Sequence, residues 1–195
     1  MSTLPLQTGR VNQKERTRKA IIDAARDLLK SGAEITMPAV AQAALVSEAT
    51  AYRYFPDLAS LLTEAEEGVW PSPAESLAPV AHSQDPVERV GYATEVLLRG
   101  VLARQGAVRA TMSAAMAKPA SAGARPGHRF GLIDEALAPM AGADPETLTQ
   151  LKRDLAIVMS AEALFILTDL CGLPAEDAIA SVVRTARTVT AAAIV

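Results

Sequence analysis

Two capping residues, Thr36 and Ser47, stand eleven positions apart, and each opens a short run of helix-forming residues, "MPAVAQAAL" and "EATAYRYF". A threonine or serine placed before a helix accepts a hydrogen bond from a first-turn N–H that has no partner inside the helix. Pro38, in the first turn, removes no N–H that the helix needs. The spacing predicts a helix over Met37–Ala44 and a second over Glu48–Phe55, stopped by Pro56 and Asp57, with a turn around Leu45 and Val46. Two short helices joined by a turn of a few residues are a helix-turn-helix.

Helical spacing then divides the second run. Ala51 and Phe55, four positions apart, share a face that can pack on the first helix through Val40, Ala41 and Val46. Glu48, Ala49, Thr50, Tyr52, Arg53 and Tyr54 occupy the remaining circumference. The chain is only 4% aromatic, yet two tyrosines and a phenylalanine fall between Tyr52 and Phe55. A small aromatic core would explain them. However, residues two apart on a helix point in different directions, so the two tyrosines cannot both follow Phe55 inward. An exposed face here has the chemistry of a nucleic-acid contact. The first residues of a recognition helix reach base edges in the major groove, and the short Ala49 and Thr50 permit close approach and methyl contact with thymine. Tyrosine hydroxyls can donate to phosphate oxygens, Arg53 adds charge, and a helix N-terminus favours an anion.

Charge is uneven along the chain. The net charge is −3, but residues 1–20 carry Arg10, Lys14, Arg16, Arg18 and Lys19 against the single acid Glu15. From residue 61 onward acids exceed bases. A basic leading end on an acidic body suggests different partners for the two ends; a solvated basic tail fits the same count.

Residues 1–12 lack periodicity and read as a flexible arm. A helical pattern starts at Gln13, with Ile21, Ile22, Ala25, Leu28 and Leu29 on one side, and Ser31-Gly32 closes it. A fourth helix, "LASLLTEAEEGVW", covers residues 58–70. The proline-rich stretch 71–86 reads as a boundary, and helical runs follow over 86–103, 106–117, 127–140, 145–170 and 174–194. No β-alternating run with a hairpin signal interrupts them. The expected fold is all-α with about nine helices: an arm (1–12), a three-helix helix-turn-helix domain (13–57), a connecting helix (58–70) and a helical bundle (86–195). The helices at 145–170 and 174–194 carry apolar or small residues beyond one face, so they lie either centrally in the bundle or against another subunit.

Catalytic and metal chemistry finds little support. His82 and His128 have no second histidine at ligand spacing, and Cys171, the one cysteine, reads as a small buried hydrophobe. No catalytic residue, metal or cofactor is expected. His128 sits beside Arg125 and Arg129 in a Gly/Pro loop, either an anion site or a solvated basic loop. No secretion signal and no apolar run of roughly 18 residues occurs, so the expected location is the cytoplasm, without membrane association.

The run "RTRKAIIDAARDLLKSGAEITMPAVAQAALVSEATAYRYFPDLASLLTEA", about residues 16–65, closely resembles the DNA-binding domain of the TetR family of bacterial transcriptional regulators. The resemblance implies a homodimer, paired through helices 145–170 and 174–194, on a pseudo-palindromic double-stranded DNA operator. It also implies repression relieved by an unknown small molecule in the C-terminal domain. Thr36, Glu48, Ala49, Thr50, Tyr52 and Tyr54 fall at the family's DNA-contacting positions; Ala51 and Phe55 fall at packing positions. Three residues depart from the pattern: Leu58 where a Lys or Arg is usual, Leu45 where glycine is usual, and Pro38 for a polar residue. Binding would then rely more on the basic segment, with Lys14 and Arg16 among its contacts.

In the C-terminal part Leu98, Leu102, Met112, Met116, Phe130 and Ile133 could line an effector pocket, though such residues also make ordinary core. Arg99, a lone charge in "VLLRGVL", could meet a ligand carboxylate or simply reach solvent. Two other classes stay open: a dimeric co-regulator with degenerate DNA reading, and a helical small-molecule-binding protein or enzyme with no role on DNA.

Overall fold

The computed structural model describes residues 6–31, 35–66, 68–117 and 127–194. Among them the chain is all-α and forms no strand. Eleven α-helices follow one another: α1 (Leu6–Ser31), α2 (Met37–Ala43), α3 (Glu48–Tyr54), α4 (Leu58–Ala65), α5 (Pro73–Leu77), α6 (Pro86–Ala103), α7 (Gln105–Ala117), α8 (His128–Ala136), α9 (Pro145–Val158), α10 (Ala161–Phe165) and α11 (Ala175–Ala193). No helix among the described residues is long and apolar enough to cross a membrane.

Several boundaries differ from expectation for identifiable local reasons. α1 begins at Leu6 rather than Gln13, so residues 6–12 are helical where a flexible arm was expected. Its expected glycine terminator, Gly32, lies outside the described residues. α4 ends at Ala65 instead of reaching Trp70, and Gly68 just beyond has a left-handed φ of 73°. The 71–86 boundary stretch is partly helical. Ser72 and Glu75 form a reciprocal capping box, with the Ser72 N–H donating to Glu75 Oε2 at 2.8 Å and the Glu75 N–H donating to Ser72 Oγ at 3.2 Å. The run 127–140 shortens to α8 followed by a 3₁₀ turn, Ala138–Met140, because Pro139 cannot extend an α-helix through its own position. The run 145–170 breaks at Met159, where Ser160 turns extended and accepts a hydrogen bond from the Ala163 N–H at 3.1 Å to start α10. A π-helical turn, Ile166–Leu170, completes it. The "KPASAGARPG" separator falls largely outside the described residues.

The described residues divide into two compact units. One takes the residues up to Val69 together with 106–117; the other takes Trp70–Gln105 and 127–194. The division falls at Val69/Trp70 rather than within 71–86, and α7 groups with the N-terminal helices rather than with the bundle.

In the first unit, Ile21, Ile22, Ala24 and Ala25 of α1 pack with Met37, Val40 and Ala41 of α2, Ala51 of α3, Phe55, and Leu61 and Leu62 of α4. Ala110 and Ala114 of α7 lie against this core. In the second unit α11 packs chiefly on α6 and also on α9, while α8 meets α5, α6 and α9. Gly131 permits the α5–α8 approach, since a Cβ there would lie 2.8 Å from Pro73 Cγ. Leu98, Leu132, Ile133, Leu151, Leu155, Met159 and Leu164 are among its buried side chains. Arg89, only 4% exposed, is satisfied by backbone carbonyls: Nη2 donates to Glu135 O at 2.6 Å, Nη1 to Val80 O at 3.0 Å, and Nε to Ala136 O at 3.2 Å. A cation placed on the carbonyl end of α8 is favoured by the helix dipole as well as by these bonds.

Candidate nucleic-acid interface

Thr36 caps α2, its hydroxyl accepting from the Ala39 N–H at 3.2 Å. The other end of α2 closes through two bonds: Val46 N–H to Ala41 O at 3.0 Å and Leu45 N–H to Gln42 O at 3.1 Å. These are the paired bonds of a Schellman helix end, and Val46 packs against the core to which Ala41 belongs. That motif requires a left-handed residue at the position Leu45 occupies, and Leu45 has φ 55° with its side chain 93% exposed. The turn therefore keeps the glycine geometry without the glycine.

Ser47 then caps α3, accepting from the Thr50 N–H at 3.2 Å, and its hydroxyl lies 2.9 Å from the Thr50 hydroxyl. Ala51 is fully buried and Phe55 is 2% exposed, both in the shared core with Val40 and Ala41. Glu48, Ala49, Tyr52 and Arg53 are exposed. Thr50 is half-buried and partly engaged by Ser47. Tyr54 is also half-buried, resting on the core, with the Arg53 guanidinium 5.8 Å from its ring centroid. The tyrosine pair thus splits, Tyr52 outward and Tyr54 onto the domain.

The basic segment also splits. Arg18 ion-pairs with Glu64 of α4 and stands 5.1 Å over the Phe55 ring, while Lys19 pairs with Asp23 at 2.5 Å. Both had counted among the charges available to a partner; Arg18 instead ties α1 to α4 and to the end of α3. Nothing local in the sequence announces a pair separated by 46 positions. Lys14 and Arg16 are exposed on α1 and hold no ion pair among the described residues. Leu58, at the first position of α4, packs against the core, and Asp57 before it caps that helix by accepting from the Ser60 N–H at 2.8 Å.

The expected effector-lining residues are divided between the two units. Leu98 and Ile133 are core, Leu102 is half-buried and Phe130 is 42% exposed. Met112 and Met116 lie on α7 in the other unit, Met116 being 78% exposed. Arg99 lines an open groove between α6 and α11, already engaged: Nη1 and Nη2 donate to the two Glu176 oxygens at 3.0 Å and Nε donates to Glu95 at 2.9 Å. His128 does not sit in a solvated loop. It begins α8, half-buried, 5.0 Å from the Trp70 ring, whose other neighbours are Gly100 and the Arg104 guanidinium at 4.8 Å. Burial, and then the Arg104 charge, push its pKa below the ordinary histidine value. Arg125 lies outside the described residues, and Arg129 pairs with Glu162 at 3.4 Å. Cys171 is exposed rather than buried; it follows the π-turn, Ile166–Leu170, that continues α10.

Residues 21–65 match the family model of bacterial regulatory proteins, tetR family. The match opens within α1 and closes on the last residue of α4, so it spans the capped turn and the two-sided α3. No curated protein matches the chain. With those helices folded as a helix-turn-helix unit, residues 21–65 resemble the DNA-binding domain of bacterial regulatory proteins of the tetR family, which supports a DNA-binding transcription regulator.

Proposed function

We propose that the protein is a homodimeric repressor that holds a pseudo-palindromic operator and releases it when a small molecule binds its second unit. The observation that carries the DNA part is the division of α3. Ala51 and Phe55 anchor it, and Glu48, Ala49, Tyr52 and Arg53 are left exposed at and after a capped N-terminus. In this reading α3 enters the major groove, with Ala49 and Thr50 nearest the base edges and Tyr52 and Arg53 on phosphates. Thr36 and Tyr54 contact the backbone from the flanks, and Lys14 and Arg16 add charge from α1. Leu58 contributes packing instead of a phosphate contact. A DNA regulator that acts directly on its genes works in the cytoplasm.

The test is a gel shift against operator fragments recovered by mapping the protein's sites on its own genome. Tyr52→Ala is expected to weaken binding about tenfold at matched salt, in line with loss of a contact worth 1–2 kcal/mol, while the protein stays folded. Affinity is also expected to fall steeply with salt. Unchanged binding by Tyr52→Ala would remove Tyr52 from the interface, and a salt-insensitive complex would remove the phosphate contacts. Release of the fragment by a compound encoded or consumed near the mapped genes tests the effector part.

A further inference from the structure

We infer that the open groove between α6 and α11 binds a small amphipathic organic carboxylate through Arg184 and Arg187. The groove measures about 410 Å³ and is lined by residues of the second unit alone, a volume within the usual range for small-molecule sites of roughly 300–1,000 Å³. Its two carboxylates, Glu95 and Glu176, are both engaged by Arg99. Arg184 and Arg187 remain. The Arg184 Nη2 donates only to Ser181 Oγ, at 3.4 Å, and Arg187 has neither an ion pair nor a hydrogen bond among the described residues.

Two observations distinguish this arrangement from a solvated basic face. First, Arg187 lies across Gly91 of α6, where any Cβ would collide with the guanidinium. Glycine inside a helix is less stable than alanine there, so room for this guanidinium is kept at the expense of helix stability. Second, Arg184 and Arg187 are three positions apart on α11, where like charges repel, and the lining beside them is apolar, with Ala180 exposed and Val183 half-buried. An anion between the two guanidiniums relieves the repulsion, a carboxylate matches their planar fork, and a short hydrocarbon tail covers Ala180 and Val183. The inference does not depend on the DNA reading.

The full-length protein, without DNA, is titrated calorimetrically with octanoate, with octanol as the uncharged match and with inorganic phosphate as the anion lacking a tail. Octanoate is expected to saturate one site, with the two controls at least about tenfold weaker. Arg187→Gln and Arg184→Gln are each expected to weaken octanoate about tenfold. Gly91→Ala, which displaces Arg187 while favouring the helix, is expected to weaken octanoate without lowering the melting temperature, and it decides the matter if Arg187→Gln does not fold. The inference is overturned if octanoate does not saturate, if octanol or phosphate binds as tightly, or if Gly91→Ala and Arg184→Gln bind octanoate like the parent.

Discussion

Leu45 holds a backbone conformation that costs an L-residue about 1–2 kcal/mol, and its side chain recovers nothing, being 93% exposed. The conformation is imposed by the two hydrogen bonds that close α2 and by the capped start of α3. Leu45→Gly removes the strain but adds freedom to the unfolded chain, a loss of about 0.4–1 kcal/mol. A net gain of roughly 0.5–1 kcal/mol is expected, read as a higher urea midpoint with unchanged slope. A lower midpoint would mean that Leu45 makes an apolar contact which its exposure hides. The same scale separates the two tyrosines: their helical spacing is legible in the sequence, but which of them rests on the core is set by the helices that build that core.

At the scale of elements, α8 is positioned by both of its ends. Its first residue, His128, packs on Trp70, whose ring also meets Arg104, and its last carbonyls receive Arg89. The lowered His128 pKa gives this packing a pH dependence. Because the folded value lies below the unfolded one near 6.5, the neutral imidazole is the stabilised form. The contribution is fully present above the unfolded pKa and is lost as pH falls below it, since the unfolded chain takes up the proton first. Melting temperatures between about pH 7.5 and pH 5.5 are expected to drop more for the parent than for His128→Gln, which cannot titrate. Equal drops would assign the acid sensitivity to other groups. The histidine itself is visible in the sequence; its stacking partner is 58 positions away in chain order and is not.

For the whole molecule, the stretch 145–170 leaves Ile157 74%, Ile166 52% and Leu170 81% exposed. Isolated apolar side chains on a surface are ordinary, but three large ones in the stretch assigned to pairing support the proposed homodimer. Sedimentation at micromolar concentration is expected to show a dimer for the parent and a monomer for Leu170→Glu. On a free surface such a change alters stability by only about 0.5 kcal/mol, so a folded Leu170→Glu that still dimerises would move the interface elsewhere.

The caps and periodicities of α1 to α4 depend on residues within one or two turns of each other. Thr36, Ser47 and Asp57 with their neighbours therefore specify the helix-turn-helix largely by themselves, and the division of α3 into Ala51 and Phe55 against Glu48, Ala49 and Tyr52 follows from helical spacing. The cap at Ser160 and the box at Ser72 were equally local, hidden inside an apolar run and a proline-rich stretch. Other features depend on side chains meeting across long chain separations, and only the tertiary structure decided them: Arg18 against Glu64 and Phe55, Arg187 over Gly91, Arg99 between two glutamates, and the grouping of α7 with the first unit. Helix patterning states which face of a helix is apolar; it does not state which other helix, dozens of residues away, will cover it.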